Sequence, residues 1–307
     1  MPRSWRTSSL KPITILAHLG ALLTMIAWGS SFLSSKVLMI DGGFTPVEVF
    51  VYRFAFAYVL LLLFTFKKIF ANSWKDELQL LACGLCAGSL YFITENYALK
   101  LTSAGNVSLL ASISPLFTTA LMTIIYKVKV NLGVIIGSVV AFFGVGCVIF
   151  SSGDGFELRP TGDIFALCSA LSWAIYSIVV KRLNPLYSSF FITRKMFFYG
   201  VLTALPLFFI QKAPYHFNLL FDFNNVSLGL NFLFLVVMCS LLAYLIWSEI
   251  MKILGPITTN NYLYLQPLVT MFAAYLFLGE GINTWGLIGC FLIILGILLS
   301  DKLKLQK

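Results

Sequence analysis

The segment "QPLVTMFAAYLFLGEGINTWGLIGCFLIILGILL", Gln266 to Leu299, repeats a spacing found earlier in the chain. Pro267 is followed by Gly289 and Gly296 at 22 and 29 residues. In the stretch that opens "SPLFTTALM" at Ser114, Pro115 is followed by Gly137 and Gly144 at the same distances. A second pair of stretches keeps this order: "WGSSFLSSKVL" runs from Trp28 to Leu38 and "WAIYSIVVKRL" from Trp173 to Leu183, with Trp and Lys eight apart in both. Matches recurring in one order at an offset of about 150 residues divide the chain into two copies, 1–153 and 154–307.

Apolar runs fill both copies. Ten can be placed, at about 14–36, 47–66, 78–99, 102–126, 131–151, 162–181, 188–211, 229–250, 256–278 and 284–300. Each is long enough to cross a hydrocarbon layer of about 30 Å as a helix. The runs are continuously apolar, whereas barrel strands alternate apolar and polar residues, so helices are expected. Five spans per copy is an odd number, which makes the second copy enter the membrane from the opposite face. The expected fold is an all-α integral membrane protein, with ten transmembrane helices forming two inverted five-helix repeats.

Composition agrees with a chain built for lipid. Of 307 residues, 59% are apolar and 11% charged, against about 45–50% and 25% in soluble domains. A net charge of +9 in a soluble protein would suggest a nucleic-acid partner; here the placement of the charge matters more than its sum, and no nucleic acid is expected. Fourteen Lys and Arg, among them Arg3, Lys68, Lys127, Lys181 and Lys304, fall on one side of the ten-span arrangement. Lys36, Lys100, Arg159 and Lys212 fall on the other. The positive-inside rule then puts both termini in the cytoplasm, and the expected location is a bacterial cytoplasmic membrane. The basic-then-apolar amino terminus resembles a signal peptide, but its apolar run has a counterpart in the second copy and reads as a true span. All six cysteines lie in spans, and Cys83 with Cys86 lacks the second pair or His of a zinc site. No cofactor is called for.

The paired halves, the Trp in the first span, "NYALKLTSAGNVSLLASISPLF" across the third and fourth spans, and the segment quoted at the outset together resemble the drug/metabolite transporter superfamily, in its ten-helix EamA form. That resemblance implies a membrane carrier for small metabolites, often an exporter of amino acids or related compounds, with a central cavity between the halves. In the family's pattern a Glu commonly follows the fourth and ninth spans. Glu280 matches it, while Val128 stands at the equivalent place in the first half.

Inverted-repeat carriers bind substrate near the midplane, where interrupted helices expose polar groups. Pro115 and Pro267 are suitable interruptions, since each lacks an N–H. Trp28, Asn106, Ser112, Trp173, Tyr176, Tyr264 and Gln266 are the candidate substrate contacts, and aromatic and amide groups suit a neutral, zwitterionic or partly apolar small molecule. Ordinary helix packing is the alternative for each. Four charges inside spans form a further set: Arg53 with Glu95 as an outer gate and Arg194 with Glu249 as an inner one, or four side chains that snorkel to water and anchor helix ends. A channel remains a rival because small polar groups can line a pore. An intramembrane enzyme is a weaker rival, since the chain has only His18 and His216 and no nucleophile or zinc motif.

Overall fold

The computed structural model describes residues 12–101, 104–151, 159–211, 215–222, 225–278 and 283–302. Among them there are helices and short connections but no strand. Eight stretches of the described residues are long and apolar enough to cross a membrane, and Thr284–Ser300 is a shorter apolar helix. The boundary at 153/154 and Glu280 lie outside the described residues.

The chain opens with α1 (Pro12–Ile40) and α2 (Pro46–Thr65). Thr45 caps α2 and Glu48 reaches back to the Thr45 backbone N–H, a reciprocal capping box with Pro46 in the first turn. Next come α3 (Trp74–Gly84) and α4 (Leu90–Leu101), joined through a π-helical turn at Leu85–Ser89 in which Gly88 leaves helical geometry, with φ −115° and ψ −106°. The fourth apolar run is two helices, α5 (Ala104–Ala111) and α6 (Ser114–Tyr126), separated at Ser112 and Ile113 just before Pro115. Proline cannot donate inside a helix but fits its first turn, so the chain breaks before it and restarts with it. Then α7 (Leu132–Ser151) precedes α8 (Pro160–Leu183) and α9 (Ser189–Ile210).

Beyond a 3₁₀ turn at Phe217–Phe221, α10 (Val226–Phe234) and α11 (Ala243–Leu254) are joined through a second π-helical segment, Leu235–Leu242. The apolar stretch Val226–Ala273 is 48 residues long and turns at Gly255, whose φ of 78° suits a residue without Cβ. The ninth run is broken like the fourth, into α12 (Pro256–Asn261), a 3₁₀ turn at Tyr262–Leu265 and α13 (Gln266–Leu278), with Pro267 in its first turn. The last element is α14 (Thr284–Lys302).

The glycines with recurring spacing meet one another. Gly137 of α7 lies against the Gly296 carbonyl of α14, and Gly144 lies against Gly289 and Ile293, so the two helices run antiparallel with their backbones in contact. A Cβ built at Gly289 would sit 2.6 Å from the Gly144 carbonyl oxygen and 2.7 Å from the Val148 nitrogen, a separation side-chain carbons do not tolerate. Small residues allow this approach, which is how helices gain packing contact where lipid removes the hydrophobic drive.

Candidate functional site

The largest buried cluster brings α1, α2, α4, α8, α9 and α11 together around aromatic side chains. At its centre Trp28 and Trp173, the two tryptophans of the recurring sequence pattern, meet edge to face with ring centroids 5.5 Å apart. Tyr244 and Trp247 of α11 each lie 5.1 Å from Trp28, while Tyr91 of α4 and Tyr176 of α8 lie 5.5 and 5.2 Å from Trp173. Edge-on contacts of this kind match the positive rim of one ring to the negative face of another.

Hydrogen bonds fix both indoles. Trp28 Nε1 donates to the Cys239 carbonyl at 2.9 Å, and Ser172, beside Trp173, donates to the Cys86 carbonyl at 2.7 Å. Cys239 and Cys86 lie in the two π-helical segments, where the widened turn disturbs the regular ladder and main-chain oxygen can accept from a neighbouring helix. Trp173 Nε1 donates to Asn260 Oδ1 at 2.9 Å, and Asn260 Nδ2 donates to Ser177 at 2.9 Å and to Thr118 at 3.2 Å. This one amide ties the broken ninth run to α6 and α8.

Two opposite charges sit in the same region. Arg53 is 5% exposed and donates from Nε to Ser240 Oγ at 2.8 Å, and its guanidinium lies 5.5 Å from the Phe92 ring. Glu95 is 9% exposed and accepts from the Tyr91 hydroxyl at 3.0 Å. They are near enough to interact electrostatically, yet neither is the other's hydrogen-bond partner. The terminal nitrogens of Arg53 and the second oxygen of Glu95 have no acceptor or donor among the described residues. An ionised side chain at the bilayer centre costs about 2.5–3.5 kcal/mol on insertion scales and less near an interface, so charges within a span are candidates for function. In the same centre the Trp247 Nε1 is fully buried with no hydrogen-bond partner among the described residues.

The other anticipated ion pair is not formed either. Arg194 donates to the carbonyls of Thr65, Lys68 and Ile69 and to the Thr65 hydroxyl, closing the end of α2 onto the start of α9. Beside it Lys195 pairs with Glu77, which also accepts from Tyr199 and from the Ala71 N–H at 2.8 Å, while Tyr187 donates to Asp76 at 2.7 Å. Glu249, with its side chain 55% exposed, pairs with Lys252 at 3.2 Å and faces outward. At the opposite end of α2 a smaller seal forms: Glu48 accepts from the His216 N–H at 2.9 Å, and Thr45 donates to Gln211 at 2.8 Å.

Of the other candidates, Ser112 is buried at the break before Pro115, and Gln266 is half-buried at the start of α13. Tyr264 packs with Val145, Val148 and Ile293 between α7 and α14, in a cluster separate from the tryptophans. The Asn106 side chain lies outside the described residues. Tyr91, Tyr244, Trp247 and Asn260 are the members of the centre absent from the candidate list. Tyr91 stands one helical turn before Glu95, and that spacing is the one signal that could have found it.

Comparison with known proteins gives a consistent result. The EamA-like transporter family matches residues 15–150 and again 160–300. An uncharacterized transporter of Clostridium kluyveri is 26% identical, covering 91% of both chains. A protein of Streptantibioticus cattleyicolor, named a probable terminal-alkyne amino-acid exporter, is 24% identical over 93% of each chain. A solved crystal structure superposes with a TM-score of 0.77 at 15% identity, covering 95% of this chain and 99% of the other, and so shares the fold.

Proposed function

The chain belongs to the EamA-like transporter family, and we propose that it is a secondary transporter that exports or exchanges a zwitterionic metabolite, such as an amino acid with an apolar side chain. It works by alternating access through ten spans arranged as two inverted five-helix repeats, 1–153 and 154–307, with both termini in the cytoplasm of a bacterium. The matched contacts support this arrangement: Trp28 meets its counterpart Trp173, and the contact of Gly137 with Gly296 is mirrored by that of Gly289 with Gly144.

One observation carries the substrate class. Arg53 and Glu95 are buried, opposite in charge and not bonded to each other, beside a wall of aromatic rings. A carboxylate on Arg53 and an ammonium on Glu95 would complete both, and the rings would take an apolar side chain. In this reading the pair serves the substrate, while Arg194 closes one end of the path. The name of the Streptantibioticus relative points to the same chemistry.

Counterflow in proteoliposomes tests it. Apolar amino acids on the far side are expected to accelerate saturable uptake of a labelled one. Non-saturable flux indifferent to counter-substrate would instead indicate a channel, and chemical conversion of the substrate an enzyme.

A further inference from the structure

Behind the aromatic centre, α1 and the column formed by α10 and α11 leave a groove of about 950 Å³, bordered by Leu23 to Asp41 on one side and Leu230 to Ile246 on the other. Its walls are mostly apolar, with Leu33, Phe234 and Met238 among them; Thr24, Ser30 and Ser34 add small hydroxyls along α1, and Lys36, Asp41 and Asn231 add larger polar groups. From Leu23 to Asp41 a helix rises about 27 Å, close to the depth of a hydrocarbon layer. Both walls belong to stretches apolar enough to span a membrane. Acyl chains are therefore what the surroundings offer this groove.

The polar end narrows the choice of lipid. Lys36 and Asp41 close the last turns of α1, both exposed, and neither side chain has a partner among the described residues. The Asn231 amide is turned back to the Ser227 carbonyl at 2.9 Å. A cation and an anion five residues apart at the mouth of an apolar groove complement a head that carries a phosphate beside a primary ammonium. We propose that the groove holds a phospholipid with an amine-bearing head, its phosphate on Lys36, its ammonium on Asp41 and its chains against Phe234 and Met238. Ala27 and Ala243 border the groove, and their neighbours Trp28 and Tyr244 stand in the aromatic centre. The lipid chains thus back the wall of the substrate site.

The test uses the full-length protein in detergent, with phosphatidylethanolamine, phosphatidylglycerol and phosphatidylcholine of identical chains added and bound lipid counted by native mass spectrometry. Phosphatidylethanolamine is expected to be retained best. Lys36→Gln should lower retention of every phospholipid about fivefold, the effect of one basic group near a lipid surface, and Asp41→Asn should abolish the preference for phosphatidylethanolamine over phosphatidylglycerol. Both positions are exposed, and an unchanged thermal midpoint will show that the fold is intact. Equal retention of all three lipids, unmoved by either variant, overturns the proposal. So does a dimer cross-linked through Phe234 and Met238, which would make the occupant a second copy of the chain.

Discussion

Arg53 and Arg194 are both buried cations in spanning helices, at 5% and 1% exposure, and their surroundings differ in kind. Arg194 directs its terminal nitrogens to three main-chain carbonyls and a hydroxyl at a helix end. Arg53 makes one hydrogen bond, through Nε, and otherwise lies beside aromatic rings with Glu95 close by. A guanidinium has five N–H groups. Where protein oxygen takes them up, the residue is a structural fastener; where they stay open beside a carboxylate with one oxygen uncommitted, they fit the substrate role proposed above.

The largest effect that bears on this contrast belongs to Arg194→Ala. Losing donors to several buried carbonyls should cost about 3 kcal/mol or more, so most of the protein should fail to survive mild heating as a monodisperse peak in detergent. Survival at the wild-type level would erase the distinction between the two arginines. Arg53→Ala should do the reverse, leaving the peak intact while raising the apparent KM for a zwitterion about thirtyfold in liposomes, as expected for a lost charge-assisted hydrogen bond worth about 2 kcal/mol.

Glu95→Gln keeps an acceptor for the Tyr91 hydroxyl and removes only the charge. It should raise KM about tenfold for an amino acid and leave an analogue lacking the ammonium unaffected, and equal losses for both compounds would reassign Glu95 to packing. Trp247→Phe deletes the unpartnered N–H together with part of a fully buried ring, so a rise of about threefold in KM, in protein that stays monodisperse in detergent, is expected if that N–H meets substrate. Glu249→Gln, on an exposed turn with Lys252, should leave transport rate and affinity at wild-type values. A clear loss there would restore it as part of a gate.

The sequence made the helical class readable through its apolar runs and proposed Pro115 and Pro267 as interruptions; the glycine spacing was read only as a repeat, and the α7–α14 seam it forms came from the structure. It was less informative about direction around a helix. Glu249 and Trp247 are two residues apart, yet one faces outward and the other is fully buried. A 3.6-residue period cannot be carried reliably across Leu235–Leu242 or Leu85–Ser89, because a π-helical turn adds a residue and rotates everything after it by about 100°. Depth along a helix suggested that Arg53 could meet Glu95 and Arg194 could meet Glu249. Azimuth, which depth leaves open, decided their partners. Tyr91, Tyr244 and Asn260 were missed for a related reason: each gains its meaning from residues far away in the chain.

The seam between α7 and α14 reads the same from either side, Gly137 against Gly296 and Gly144 against Gly289. A contact in which position i meets j while the equivalent of i meets the equivalent of j is isologous, the geometry that two-fold symmetry imposes on identical partners. If the chain is two inverted five-helix repeats, as proposed above, a free half bearing these glycines would offer an upside-down twin the surface it meets here within one chain. Covalent linkage then supplies a high effective concentration and releases each half to specialise. On that reading the proposed first half has used this freedom to hold both Arg53 and Glu95 at the aromatic centre, while Arg194 in the second fastens a helix end.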